Sequence, residues 1–200
     1  MARYSIRALS FAGAMLVMTG LAHAHTGAGD ASGFVHGFSH PFSGLDHILA
    51  MVAVGLYAAQ RGGRALWLVP LAFVGMMAVG GVLGVYGVNL PLVELGIAAS
   101  VIVLGAAVAF EVRLPTAAAL GLVGFFAIFH GHAHGAEMPA DAAGLSFAAG
   151  FMIATAMLHG LGVGLGLATG SLAHGRFDRV VRYTGGAMSL AGIGILAGVL

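Results

Sequence analysis

Two short stretches hold five of the ten histidines in this chain, with a carboxylate beside each set. The first reads His40-Pro41-Phe42-Ser43-Gly44-Leu45-Asp46-His47, and the second Phe129-His130-Gly131-His132-Ala133-His134-Gly135-Ala136-Glu137-Met138-Pro139. Cysteine is absent, which removes disulfides, thiolate metal sites, iron-sulfur clusters and cysteine nucleophiles and leaves His, Asp, Glu and Met as donors. If a helix runs from about residue 40, His40 and His47 are seven apart, about 20° short of two full turns, and share a face with Asp46 beside them. His36 stands one turn earlier and can join them. Asp46 then serves as a ligand, or orients a ligating imidazole, or is simply a carboxylate favoured at a helix N-terminus. In the second stretch His130, His134 and Glu137 fall at i, i+4 and i+7, one helical face, while His132 points away. If Gly131, Gly135 and Pro139 unwind the end instead, all three imidazoles converge, or the stretch is a His-rich loop that binds metal loosely.

Two more polar residues sit in apolar surroundings, where an ionisable group is costly and marks a site by default. Glu94 is placed about a turn into a helix and is a ligand or proton acceptor. His159 lies near the middle of another and is either a station on a path or a hydrogen-bonding core residue. The glycines from Gly160 to Gly170 belong to helix packing, because no strand-helix unit follows to make a phosphate loop.

Composition dictates what must position these groups. Of the 200 residues, 60% are hydrophobic and 8% charged, with a mean hydropathy of +1.01, against about a quarter charged in a soluble domain. The expected fold is all-α: a polytopic bundle of about six transmembrane helices behind a cleavable signal peptide. The segment 1–24 has Arg3 and Arg7, an apolar run from Ala8 to Leu21, and a small-residue ending at Ala24. Cleavage is expected there, leaving His25 as the mature N-terminus and residues 25–200 as one transmembrane domain. Spans are predicted near 41–60, 64–86, 90–111, 114–134, 143–170 and 179–199. The remaining arginines, Arg61, Arg64, Arg113, Arg176, Arg179 and Arg182, fall in alternate loops. By the positive-inside rule those loops face the cytoplasm, both mature ends lie outside, and the two histidine stretches face out. A net charge of +1 without a basic patch argues against nucleic acid as a partner. The expected partners are a divalent metal ion and the lipid bilayer.

The paired motifs HPFSGLDH and FHGHAHGAEMP, with Ala-Thr-x-x-Leu-His at 154–159, resemble those of the HupE/UreJ family of nickel permeases, over the whole mature chain. The resemblance implies a secondary transporter in a bacterial inner membrane that takes up Ni2+ for hydrogenase or urease maturation, with His40, Asp46, His47, His130, His134 and Glu137 at motif positions. His132 occupies a variable position. Nickel itself comes from the resemblance, because imidazole and carboxylate donors suit Co2+ and Zn2+ as well. No prosthetic group is expected, and a metallochaperone is the natural receiver on the cytoplasmic side. Other classes use membrane histidines too. A di-iron oxygenase needs paired histidines, which are absent here; a haem carrier would be coloured; a metal-binding accessory protein would bind the ion without moving it.

Overall fold

The computed structural model describes residues 29–138, 142–172 and 176–200; the predicted signal peptide and His174 lie outside them. Seven α-helices and no strand occur among the described residues. They are α1 (Gly29–Ser39), α2 (Leu45–Arg61), α3 (Ala65–Val85), α4 (Val93–Ala109), α5 (Thr116–Ala136), α6 (Ala142–Leu172) and α7 (Arg176–Leu196), with a 3-10 turn, His40–Phe42, between α1 and α2. Each of the six predicted windows holds one of α2 to α7. Three helices, α3, α5 and α6, are long and apolar enough to cross a membrane, and the pair Gly33–Phe42 and Leu45–Arg61, bent by 78°, makes a fourth if counted as one broken span. At 21 residues, α3 and α5 are each about 31 Å long, matching a hydrocarbon core of about 30 Å.

The sequence pattern does not predict α1 or the break after it. Pro41 sits inside the 3-10 turn, and Gly44 takes an extended conformation as the N-cap of α2 (φ −102°, ψ 121°). The chain therefore turns sharply four residues later than a helix starting at Pro41 would allow. At the other end of α2, Gly62 adopts φ +66°, a left-handed C-cap for which glycine is the natural residue. Pro91 likewise does not open α4. Leu92 sits at φ 60° just before it, so the helix begins at Val93 and Glu94 is its second residue.

Glycine decides which helices pair. A Cβ on Gly80 or Gly84 of α3 would strike the carbonyls of Ile128 and His132, and one on Gly131 or Gly135 of α5 would strike those of Met77 and Gly81. The two backbones thus lie flush along a small-xxx-small seam, as close packing in membranes favours. Gly55 and Gly162 face each other in the same way between α2 and α6, and Gly105 and Gly185 between α4 and α7. α1 lies on α6 through Gly33, Gly37 and Gly150. α2 is buried on nearly all sides from Ala50 to Ala58, as befits the central helix of a bundle.

The bundle is polar at its two ends in opposite ways. Arg61, Arg113 and Glu111 gather round a cavity of about 460 Å³ at one end, where Gln60 Nε2 donates to Val108 O at 2.9 Å and Arg182 Nε to Ala109 O at 2.9 Å. The histidine stretches stand at the other, about 21 Å away along the α2 axis between His47 and Arg61.

Candidate metal centre

α5 stays helical through Ala136, so its glycines do not unwind it. Gly131 and Gly135 turn their bare sides to α3, and His130 and His134, about 100° round the helix, reach His47 of α2 and, for His134, Phe151 of α6. His40 and His47 reach the same place by another route. They do not share a helical face; the bend between the 3-10 turn and α2 brings both imidazoles against His134.

Two groups of donors result. One nitrogen each from His47, His130 and His134 lie within 4.8 Å of one another, with His47 and His130 buried and His134 half-buried. A second group, within the same limit, is His40, His134 and an oxygen of Glu137, half-buried to exposed. His134 belongs to both. His40 Nε2 stands 3.1 Å from His134 Nδ1 and 3.6 Å from Glu137 Oε2. Ring centroids trace a continuous file: His36 to His40 at 6.0 Å, His40 to His134 at 4.9 Å, His134 to His47 at 5.2 Å and His47 to His130 at 5.4 Å. Phe151 walls the file at 4.5 Å from His134 and 5.1 Å from His47.

Two hydroxyls set the buried rings. Ser100 Oγ donates its one hydrogen to Ile97 O at 2.6 Å, so it can only accept from His130 Nε2 at 2.8 Å. A neutral His130 therefore carries its proton on Nε2 and leaves the Nδ1 lone pair bare, which is how an outer hydrogen bond prepares an imidazole for a metal. That Nδ1 is buried without a hydrogen-bond partner, as is His47 Nδ1, while His47 Nε2 meets Thr155 Oγ1 at 3.2 Å. Buried polar atoms are nearly always paired. Unpaired nitrogens on two buried imidazoles whose rings lie 5.4 Å apart are suited to a shared ligand. His47, Ser100, His130, Thr155 and His159 are the fully buried polar side chains among the described residues. Four of them belong to this arrangement, and His159 packs on the Phe73 ring at 5.2 Å, next to His130 at 5.8 Å.

The remaining expected residues fall outside the two groups. Asp46 Oδ1 accepts from the His47 main-chain N–H at 2.7 Å, a carboxylate at the α2 N-terminus bonded to backbone rather than to an imidazole. Glu94 is exposed in the first turn of α4. His36 is exposed on α1, its ring 5.4 Å from that of Phe147. His132 turns away from the file, as its position predicts, and its Nε2 donates to Val88 O at 2.6 Å in the loop after α3. His132→Ala should accordingly leave equilibrium binding of a divalent metal ion to the purified protein within about twofold of the unaltered chain, as read by calorimetric titration.

Sequence reasoning did not single out Ser100, Thr155 or the phenylalanine walls. The available signal was the hydroxyl itself: Ser100 is the one polar residue in α4 after Glu94, and Thr155 lies in the Ala-Thr-x-x-Leu-His stretch.

A family model described as HupE / UreJ protein matches residues 13–195. The chain belongs to the HupE/UreJ family. It is also similar to Protein HupE of Rhizobium leguminosarum bv. viciae, 52% identical over 186 residues that cover 92% of this chain and 95% of the relative. No solved structure matches the chain. The HupE/UreJ match takes in α1 through nearly all of α7, so both donor groups and the hydroxyls that set them lie inside the family region.

Proposed function

We propose that this HupE/UreJ protein is a secondary transporter that takes up a divalent transition metal, Ni2+ first and Co2+ or Zn2+ by the same donor chemistry, through six spans of a bacterial inner membrane. The two motif stretches capture the ion on the outer side. His40, His134 and Glu137 form the outer, partly exposed receiving group and His47, His130 and His134 the inner one. Asp46 fixes the α2 N-terminus beneath them and adds negative charge close by, and His36, His132 and Glu94 are peripheral. The observation that carries this function is the unpaired buried nitrogens of His47 and His130, in a group whose third member, His134, is also part of a second, half-buried to exposed trio. Mixed imidazole and carboxylate donors suit first-row divalent ions, and a site graded from exposed to buried suits passage better than storage.

Orientation follows from the arginines. With the Arg61 and Arg113 end in the cytoplasm, the histidine end faces the periplasm, both mature termini are outside, and a signal peptide over residues 1–24 delivers that arrangement. No ATP-binding motif occurs in the sequence, so the ion gradient, a proton gradient or capture by a cytoplasmic metallochaperone drives the flow. Hydrogenase or urease maturation is the process supplied.

Uptake of radioactive Ni2+ by cells lacking other nickel importers tests the function. The intact protein should accumulate nickel, and His40→Ala and Asp46→Asn at matched abundance should reduce it at least several-fold. Binding without flux would instead make the chain a metal-binding accessory protein. Because protonated imidazole has no lone pair for a metal, uptake at fixed free Ni2+ should fall as external pH is lowered. A steady rise on acidification would exclude imidazole capture as the limiting step.

A further inference from the structure

α6 presents Phe147, Phe151, Thr155 and His159 at four-residue intervals, so the four stand on one slowly turning stripe. Each meets a successive level of the imidazole file. Phe147 packs on His36 and His40 at 5.4 and 5.5 Å, Phe151 on His134 and His47, and Thr155 bonds His47. His159 comes next. At 1.5 Å per residue it lies about 18 Å inward of Phe147 and about 6 Å beyond Thr155. Both it and His130 pack on the Phe73 ring, so the innermost imidazole of the buried trio and His159 border the same aromatic side chain.

Beyond His159 the stripe changes character. Residues 160–168 of α6 read Gly-Leu-Gly-Val-Gly-Leu-Gly-Leu-Ala, with no polar side chain until Thr169. Gly166 and Thr169 already line the cavity at the arginine end, together with Gln60, Arg61, Glu111 and Arg113. His159 is therefore the last side-chain donor on α6 before that cavity, from which it is separated by about 10 Å of apolar helix.

His159 is 1% exposed, and neither of its ring nitrogens has a hydrogen-bond partner. A histidine kept for packing normally has at least one nitrogen satisfied, as His130 has through Ser100. An imidazole with both nitrogens bare in an apolar core is worse than a phenylalanine of similar shape, because unmet hydrogen bonds in such surroundings are costly. We propose that His159 is an inner transfer ligand: it takes the divalent ion from the His47–His130–His134 trio and is the last imidazole the ion leaves before the arginine-end cavity. This assignment rests on the chain conducting metal at all, and it supplies the inward half of the path that neither motif contains.

Purified protein, measured both in detergent for equilibrium Ni2+ binding and in proteoliposomes for Ni2+ flux, separates the steps. His159→Phe should keep equilibrium binding within about twofold while flux drops at least tenfold, with no loss of thermal stability. His159→Cys, which restores a donor of softer chemistry, should shift the flux ratio toward Cd2+ over Ni2+ by severalfold, a change that a packing role would not produce. Flux above half the normal rate in His159→Phe overturns the assignment, and so does loss of equilibrium binding in that variant, which would put His159 in the capture site itself. An unaltered Cd2+ to Ni2+ ratio in His159→Cys also overturns it. Unaltered protein that binds Ni2+ but passes none removes transport and this role together, whereas the other outcomes remove this role alone.

Discussion

His134→Ala should reduce nickel accumulation to the level of cells without the protein, a loss of about a hundredfold or more in initial uptake rate, while the variant reaches the membrane in normal amount, if the chain carries nickel as proposed. The size of the effect follows from position. His40 and Glu137 belong to the outer donor group, and His47 and His130 to the buried one, but His134 belongs to both. Removing it leaves each group with two donors and severs the file at its centre, where the imidazole stands between His40 at 4.9 Å and His47 at 5.2 Å. Loss of one outer donor, as in Glu137→Gln, should by contrast lower apparent affinity more than maximal rate, because the buried trio is intact. Radiolabelled uptake over a range of Ni2+ concentrations distinguishes the two patterns. Equal rate and affinity in His134→Ala and Glu137→Gln would rule out His134 as the shared donor.

The second large effect concerns a residue with no side chain. Gly131→Leu should cause near-complete loss of both uptake and mature protein, with a fall in thermal stability larger than any of the histidine substitutions produce. A Cβ at that position would run into the Met77 carbonyl and the Gly81 backbone. Those are main-chain atoms of α3, which cannot swing aside as a rotamer can. Overpacking a close interface costs about 1–3 kcal/mol and more where backbone must move. Here the displacement also carries His130 and His134 away from α2 and α6. Gly121→Leu is the matched control: it lies on the same helix, and a Cβ there meets nothing within 4 Å. Thermal denaturation in detergent should leave Gly121→Leu within a few degrees of the unaltered protein and lower Gly131→Leu far more. Equal melting temperatures would mean that the α3–α5 seam is not held by close backbone approach.

Much of this was legible in the chain before any coordinates. Long apolar windows bounded by Arg, Gly and Pro mark α2 through α7 within a few residues, and α3, α5 and α6 have the length and apolar composition that crossing a hydrocarbon core requires. The donor residues are legible for a different reason: imidazoles in pairs and triples amid apolar sequence have no cheaper use. What was hidden depends on tertiary contacts. The α1 sequence, Gly-Asp-Ala-Ser-Gly-Phe-Val-His-Gly-Phe-Ser, has poor helix propensity, and it is helical where α6 offers Gly150 and a backbone for Gly33 and Gly37 to lie against. Pro41 signals a helix start yet sits in a 3-10 turn, so the 78° bend that brings His40 to His134 is absent from any straight projection of residues 40–47. Ser100 was invisible because a hydroxyl in an apolar helix commonly bonds its own backbone; Ser100 does so at Ile97 and sets the His130 tautomer with the same oxygen.

The glycine seams have one more consequence. They weld α1, α2 and α6 into one body and α3 with α5 into another, and the donors divide along that boundary. His40 and His47 ride on the first body, His130, His134 and Glu137 on the second. Neither body carries a complete set. An ion held by His47, His130 and His134 together would therefore bridge the two bodies, and its binding would depend on how they are set against each other.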